Sequence, residues 1–217
     1  MTTKTVDHVG GSVATDQRRE QMLAAAAQLI AERGFSETRI ADVARRAGAS
    51  PALVIYYFGT KDTLLTAALR FSEENFYAAC SAMLESTTSL RERLEGLVGL
   101  TCVPEGDVRV PGAWGLWFDL WAQALRQPSV AADRVELEAR WRDTIVGVVK
   151  DGIAHGEIAK VDAASFAVTW AVLLDGLSIQ VALKDAVVTP DRAFAIAMGF
   201  AERELGLRPR RRARRKK

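Results

Sequence analysis

Apolar positions along this chain of 217 residues recur at intervals of three and four, the spacing of one helix face. From 17 to 33 the set Met22, Leu23, Ala26, Leu29 and Ile30 predicts a helix that Gly34 stops. Residues 39–61 then pack two shorter repeats into little space. Ile40, Val43, Ala44 and Ala47 make the first, Gly48 interrupts, and Val54, Tyr57 and Phe58 make the second. Ser50 is suited to N-cap the second helix, and Pro51 to its first position, where a missing N–H costs nothing. Helix, tight turn and helix imply a helix-turn-helix, whose second helix enters the major groove of DNA.

Thr60 is placed to cap a long linking helix through Leu64, Leu65, Ala68, Leu69, Phe71, Phe76, Ala79, Cys80 and Met83 toward Ser86. The second half shows no strand alternation. It predicts a helix over 90–101, a Pro/Gly-broken loop over 103–111, a tryptophan segment over 112–126 (GAWGLWFDLWAQALR) and a long helix over 129–155 ended by Gly156. Residues 162–184 and 190–205 differ from the rest. Phe166, Trp170, Leu173, Leu174, Leu177 and Val181 mark one face of the first, but Val168, Val172, Ile179 and Ala182 make the opposite face apolar too. Ala193, Phe194, Ile196, Ala197, Met198, Phe200 and Ala201 repeat this in the last helix. Helices apolar on both sides need cover on both sides, and the same pair from a second copy would supply it as a four-helix, two-fold interface.

Charge changes the picture only when located. The chain is net +2, yet eight of its 29 basic residues lie in 208–217 (RPRRRARRKK), so the remainder carries 21 against 27 acidic residues and is net −6. The basic run reads as a solvated tail that adds salt-dependent affinity for phosphate. Residues 1–16 are polar and read as a flexible arm. Cys80 and Cys102 lie in separate apolar segments and read as small hydrophobes. With no apolar run in 1–17, the expected setting is reducing and cytoplasmic. The apolar run over 163–174 is too short for a bilayer that needs about 20 residues, so no membrane span is expected. No metal site and no cofactor are expected, since His8 and His155 are the only histidines and neither has a partner at ligand spacing.

Several stretches carry a family likeness: Gly34–Phe35 after the first helix, Val43–Ala44 followed by 47–50 (AGAS), and Phe58 followed by Lys61 and Leu64–Leu65. With them the chain resembles the tetracycline-repressor (TetR) family of bacterial regulators. VIYYFGTKDTLL, the tryptophan segment and LLDGLSIQ resemble its BetI-type subgroup, over roughly residues 17–206. The resemblance implies an all-α fold of about nine helices. A helix-turn-helix head spans 17–62, a ligand-binding and dimerisation domain spans 63–206, and the arm (1–16) and tail (207–217) flank them. It also implies a homodimer on a palindromic operator, released by a small apolar or cationic molecule. By position, Ser50, Pro51, Ala52, Leu53 and Tyr56 face bases or nearby backbone, and Lys61 grips a phosphate with its helix's N-terminal dipole. Two positions depart from the family pattern. Its usual threonine early in the second helix is Arg39 here, with Thr38 before it, and its usual tyrosine is Ile55. The missing phosphate-bonding hydroxyl has to come from Tyr56 or Tyr57, or its contact from Arg39.

The candidate effector pocket takes Phe76 and Met83 from the linking helix, Trp114, Trp117, Phe118 and Trp121 from the tryptophan segment, and Trp170, Leu174 and Asp175 beyond it. Aromatic faces with a carboxylate suit a quaternary ammonium or other organic cation, although the same rings also suit ordinary core. The candidate dimer interface takes Phe166, Trp170, Leu177 and Val181 with Phe194, Ala197, Met198 and Ala201. Two other functions compete: a nucleic-acid scaffold driven by the basic tail, and an enzyme. For the second, the sequence offers no Ser/His/Asp set and no paired carboxylates with a plausible base.

Overall fold

A computed structural model describes residues 9–102, 113–126 and 128–207. Residues 1–8 of the expected arm, the 103–111 loop and the 208–217 tail lie outside the described residues. The described chain forms nine helices and no strand: α1 (Val9–Arg33), α2 (Ile40–Arg46), α3 (Pro51–Phe58), α4 (Lys61–Ser86), α5 (Leu90–Cys102), α6 (Ala113–Ala124), α7 (Pro128–Ala154), α8 (Ala163–Ala182) and α9 (Pro190–Leu205). One boundary differs from expectation. Helix α1 begins at Val9, inside the stretch read as a flexible arm. Once the packed turns from Met22 onward pay for nucleation, adding residues at the end costs little, even through Gly10 and Gly11.

The chain divides into two compact bodies. Among the described residues, the first lies within 1–77 and 110–130 and the second within 78–109 and 131–217, so the expected head boundary at 62 falls inside the first body. The reason is that α6 packs on α1. The core of the first body joins Met22, Leu29 and Ile30 of α1 to Val43 of α2, Val54 and Phe58 of α3, Leu64 and Leu65 of α4, and Leu116 of α6. Gly115 permits the approach: a Cβ there would stand 2.5 Å from the Ala31 carbonyl oxygen.

In the second body α5, α8 and α9 pack on one another. Trp170 is fully buried, stacks on Phe166 at 5.6 Å between centroids, and donates its indole N–H to the Ala197 carbonyl at 3.1 Å. Both carboxylate oxygens of Glu157 accept the Leu90 N–H, at 2.8 and 3.0 Å, and so cap α5. Arg91 to Glu202 (2.7 Å) and Arg93 to Asp151 (3.0 Å) tie α5 to α9 and α7. The cysteines behave as hydrophobes: burial pushes both thiols up to about 11.

The uncharged run ends at Asp175, while the helix itself, predicted over 162–184, runs from Ala163 to Ala182. Its 20 residues are long and apolar enough to cross a membrane by length and composition. Its inner face, from Ala163 through Leu174 to Val181, is core packed against α5 and α9.

Candidate nucleic-acid interface

The helix-turn-helix is built by local chemistry. Helix α2 closes on Gly48, whose φ of 62° is open to glycine at no steric cost. The Ala49 N–H bonds the Ala44 carbonyl at 2.8 Å and the Gly48 N–H bonds that of Arg45 at 3.3 Å, the paired closure of a Schellman turn. The Ser50 hydroxyl oxygen then accepts the Leu53 N–H at 3.2 Å, and Pro51 opens α3. This fixes the rotation of α3 against α2. Val54 and Phe58 turn inward, while Pro51, Ala52, Ile55 and Tyr56 turn outward, Tyr56 being 82% exposed.

The expected DNA-contacting residues therefore divide. Ser50, Pro51, Ala52 and Tyr56 are exposed; Leu53 and Tyr57 are half-buried and packed on the head core, Tyr57 edge-on to Tyr56 at 5.6 Å. Arg39 is exposed on the extended residue that precedes α2. Thr38 is not a substitute for it, because its buried hydroxyl donates to the Gly34 carbonyl at 2.9 Å. Lys61 donates to the Ser36 carbonyl at 2.7 Å, which leaves two ammonium hydrogens for another acceptor. Of the other cations, Arg45 pairs with Asp42, and Arg46 holds both oxygens of Glu32 at 2.7 and 2.8 Å.

One support was invisible in the sequence. The Asp119 carboxylate of α6 accepts the Phe35 N–H at 2.6 Å, beside Gly34, whose φ is 86°. It holds the α1–α2 connection from 84 residues away. The signals were the apolar surroundings of Asp119 and the Gly34–Phe35 pair, and nothing in the sequence joined them.

The candidate pocket residues fall in both bodies. In the first, Phe76 meets Trp117 edge-on at 6.4 Å and Phe118 lies 5.9 Å from Trp121, all four half-buried. The Trp114 side chain lies outside the described residues. In the second, Met83 packs on the core, and Trp170 and Leu174 are fully buried within it. Asp175 is half-buried, and burial raises its carboxyl to about 6, with Glu138 adding to the rise and Arg134 and Arg142 opposing it. Glu138 takes both arginines, at 2.9 and 3.8 Å. Among the described residues the Asp175 carboxylate has no hydrogen-bond or ion-pair partner.

The candidate dimer residues need a correction. All but the half-buried Phe194 are buried inside the single chain. The spacing marked two apolar faces, and packing turned the one holding Phe166, Trp170, Leu177 and Val181 inward. Val168 (52% exposed) and Val172 (67%) of α8 and Ile196 (37%) of α9 remain outside.

With this architecture established, the chain can be set beside known proteins. The family of bacterial regulatory proteins of the tetR type matches residues 22–68, and the C-terminal family of BetI-type transcriptional repressors matches residues 90–206. The chain belongs to the TetR family. It is a helix-turn-helix transcriptional regulator with a BetI-type second half. Similar proteins include the HTH-type transcriptional regulator BetI of Rhizobium meliloti, 26% identical over 87% of this chain and 89% of that protein. The BetI regulator of Escherichia coli strain K12 is 27% identical over 87% and 94%. Among solved structures, a transcriptional regulator of Saccharomonospora viridis in complex with choline superposes with a TM-score of 0.77 at 29% identity, covering 86% of this chain and 96% of that one. A TetR-family regulator of Rhodococcus sp. gives 0.74 at 29%, covering 88% and 99%. TetR-family regulators bind DNA and a small-molecule effector.

Proposed function

We propose that this TetR-family regulator is a cytoplasmic homodimer that represses transcription from a palindromic operator and is released by a small organic cation of the choline type. The observation that carries the DNA reading is the outward face of α3, which nothing among the described residues covers although its inner face is packed into the core. Dimerisation is supported by the exposed aliphatic side chains Val168 and Val172 on α8 and Ile196 on α9, each helix also carrying a small residue, Gly176 and Gly199, that allows close approach. Two-fold pairing would place two copies of α3 on successive turns of one duplex face.

The effector reading rests on Asp175. A half-buried carboxylate with no partner among the described residues is costly, and a ligand carrying a diffuse positive charge reduces that cost. The structural relative from Saccharomonospora viridis holds choline. The test is an electrophoretic shift with the full chain and a duplex spanning the promoter of its own gene. Choline chloride should release the protein at a concentration where sodium chloride of equal ionic strength does not, and Asp175→Asn should resist release. Equal release by the two salts, or by the two proteins, overturns the effector reading.

A further inference from the structure

The outward face of α3 lacks one of the two devices by which proteins tell bases apart in the major groove. The first device is a pair of hydrogen bonds from one side chain to one base, made by Arg, Lys, Asn or Gln to purines and by carboxylates to cytosine. The second is apolar contact with the 5-methyl group of thymine. Helix α3 reads PALVIYYF and holds no residue of the first kind. The cations nearby belong to other elements. Arg45 and Arg46 are ion-paired, Lys61 bonds the Ser36 carbonyl, and Arg39 precedes α2, the helix that crosses the phosphate backbone in this motif.

Four side chains face outward from α3. Pro51 has no donor, and Tyr56 brings one hydroxyl, which N7 of adenine and N7 of guanine accept alike. Ala52 and Ile55 remain, three residues apart on the same face, Ile55 being 49% exposed. Their methyl groups present an apolar surface that gains nothing from water and can gain from a methyl on the base.

We propose that α3 selects its half-site by the 5-methyl groups of thymine, read by Ala52 and Ile55, while Arg39 and Lys61 bind phosphate without regard to sequence. The inference rests on the reading of α3 as the helix that enters DNA. It gives the missing tyrosine at position 55 a positive role: the position reads a base edge by apolar contact.

The full chain is used to enrich duplexes from a random pool at fixed salt, and each thymine of the enriched site is then replaced in turn by deoxyuridine. That exchange removes the methyl and leaves base pairing unchanged. At one or two positions per half-site, affinity should fall about fourfold for each methyl lost from contact. Ile55→Ala, whose exposed position spares the fold, should bind the thymine and uracil duplexes alike at one of those positions. An enriched site indifferent to every thymine-to-uracil exchange, or one whose discrimination rests on guanine, overturns the inference and leaves the DNA reading standing. A pool in which no duplex is enriched overturns both.

Discussion

Helices α3 and α8 solve the same packing problem and leave different remainders. Each turns one apolar face into a core and keeps a second apolar face outside. On α3 the outer face is eight residues long at most, carries one hydroxyl in Tyr56, and has the cations Arg39 and Lys61 on neighbouring elements. On α8 the exposed positions hold Val168 and Val172 among Ala164, Ser165, Thr169, Gly176 and Gln180, and Ile196 is exposed on α9. Exposed apolar surface is therefore not one signal. A short face edged by positive charge suits a groove lined with phosphate, and a longer one with exposed valines suits a copy of itself.

The largest expected effect comes from charging the long face. In Val168→Asp/Val172→Asp, each carboxylate trapped without a partner between two copies costs about 3–5 kcal/mol. Light scattering should show a monomer with unchanged circular dichroism, and operator binding should be lost with the dimer. A double variant that remains dimeric would mean that the two copies meet elsewhere. Next comes the rim of the short face: Arg39→Ala should weaken DNA binding by about 1.5–3 kcal/mol, the value of a charged hydrogen bond to phosphate. Filter binding across a salt series should also show a shallower slope, because one fewer counterion is released. Unchanged affinity would remove Arg39 from the interface.

Asp119 separates framing α3 from reading with it. Asp119→Ala leaves the Phe35 N–H unpaired and should cost about 1–2 kcal/mol of stability, measured by urea unfolding. Asp119→Asn, which keeps an acceptor, should recover part of that loss, and equal stability in all three proteins would show the bond to be idle.

Asp175 gives the smallest effect. Its carboxyl titrates at about 6, above the ordinary 3.8, so the ionised form that a cation needs is mostly present at pH 7.5 and mostly absent at pH 5. Choline affinity measured by calorimetry should drop about tenfold over that range. The sign for stability is opposite. A raised carboxyl pKa means the folded state holds the proton more tightly than the unfolded chain, so this group's penalty is present above about pH 6 and fades as pH falls toward 3.8. Asp175→Asn should accordingly melt a few degrees higher at pH 7.5 while binding no choline. Equal melting of the two proteins would mean that the carboxylate is well solvated.

How much of this could be read in advance follows the range of each interaction. The turn from Ala44 to Leu53 was legible because every bond in it closes within five residues, and Gly48, Ser50 and Pro51 each have a local preference that names their place. The bounds of α9 match those expected, and its ends close locally, the Thr189 hydroxyl oxygen accepting the Arg192 N–H and Gly206 taking the left-handed turn. The start of α1 was not legible, since Val9 follows no cap residue and extends a helix stabilised further along. Neither was the bond from Asp119 to Phe35, nor the place of α6 beside α1, because partners 84 residues apart leave no mark on local spacing.

By itself the sequence determined the nine helices of the described residues, the helix-turn-helix and the family, and it established that α8 and α9 are apolar on both sides. Periodicity registers which positions share a face, and that property is local. It does not register which face turns inward, because an apolar stripe lowers the free energy of any apolar surface it meets. Only the tertiary structure decided that Phe166 and Trp170 face α9 within one chain while Val168 and Val172 stay outside. The choice was made by fit, the indole of Trp170 finding the Ala197 carbonyl and the stacked rings of Phe166 and Phe200 filling the space between the helices.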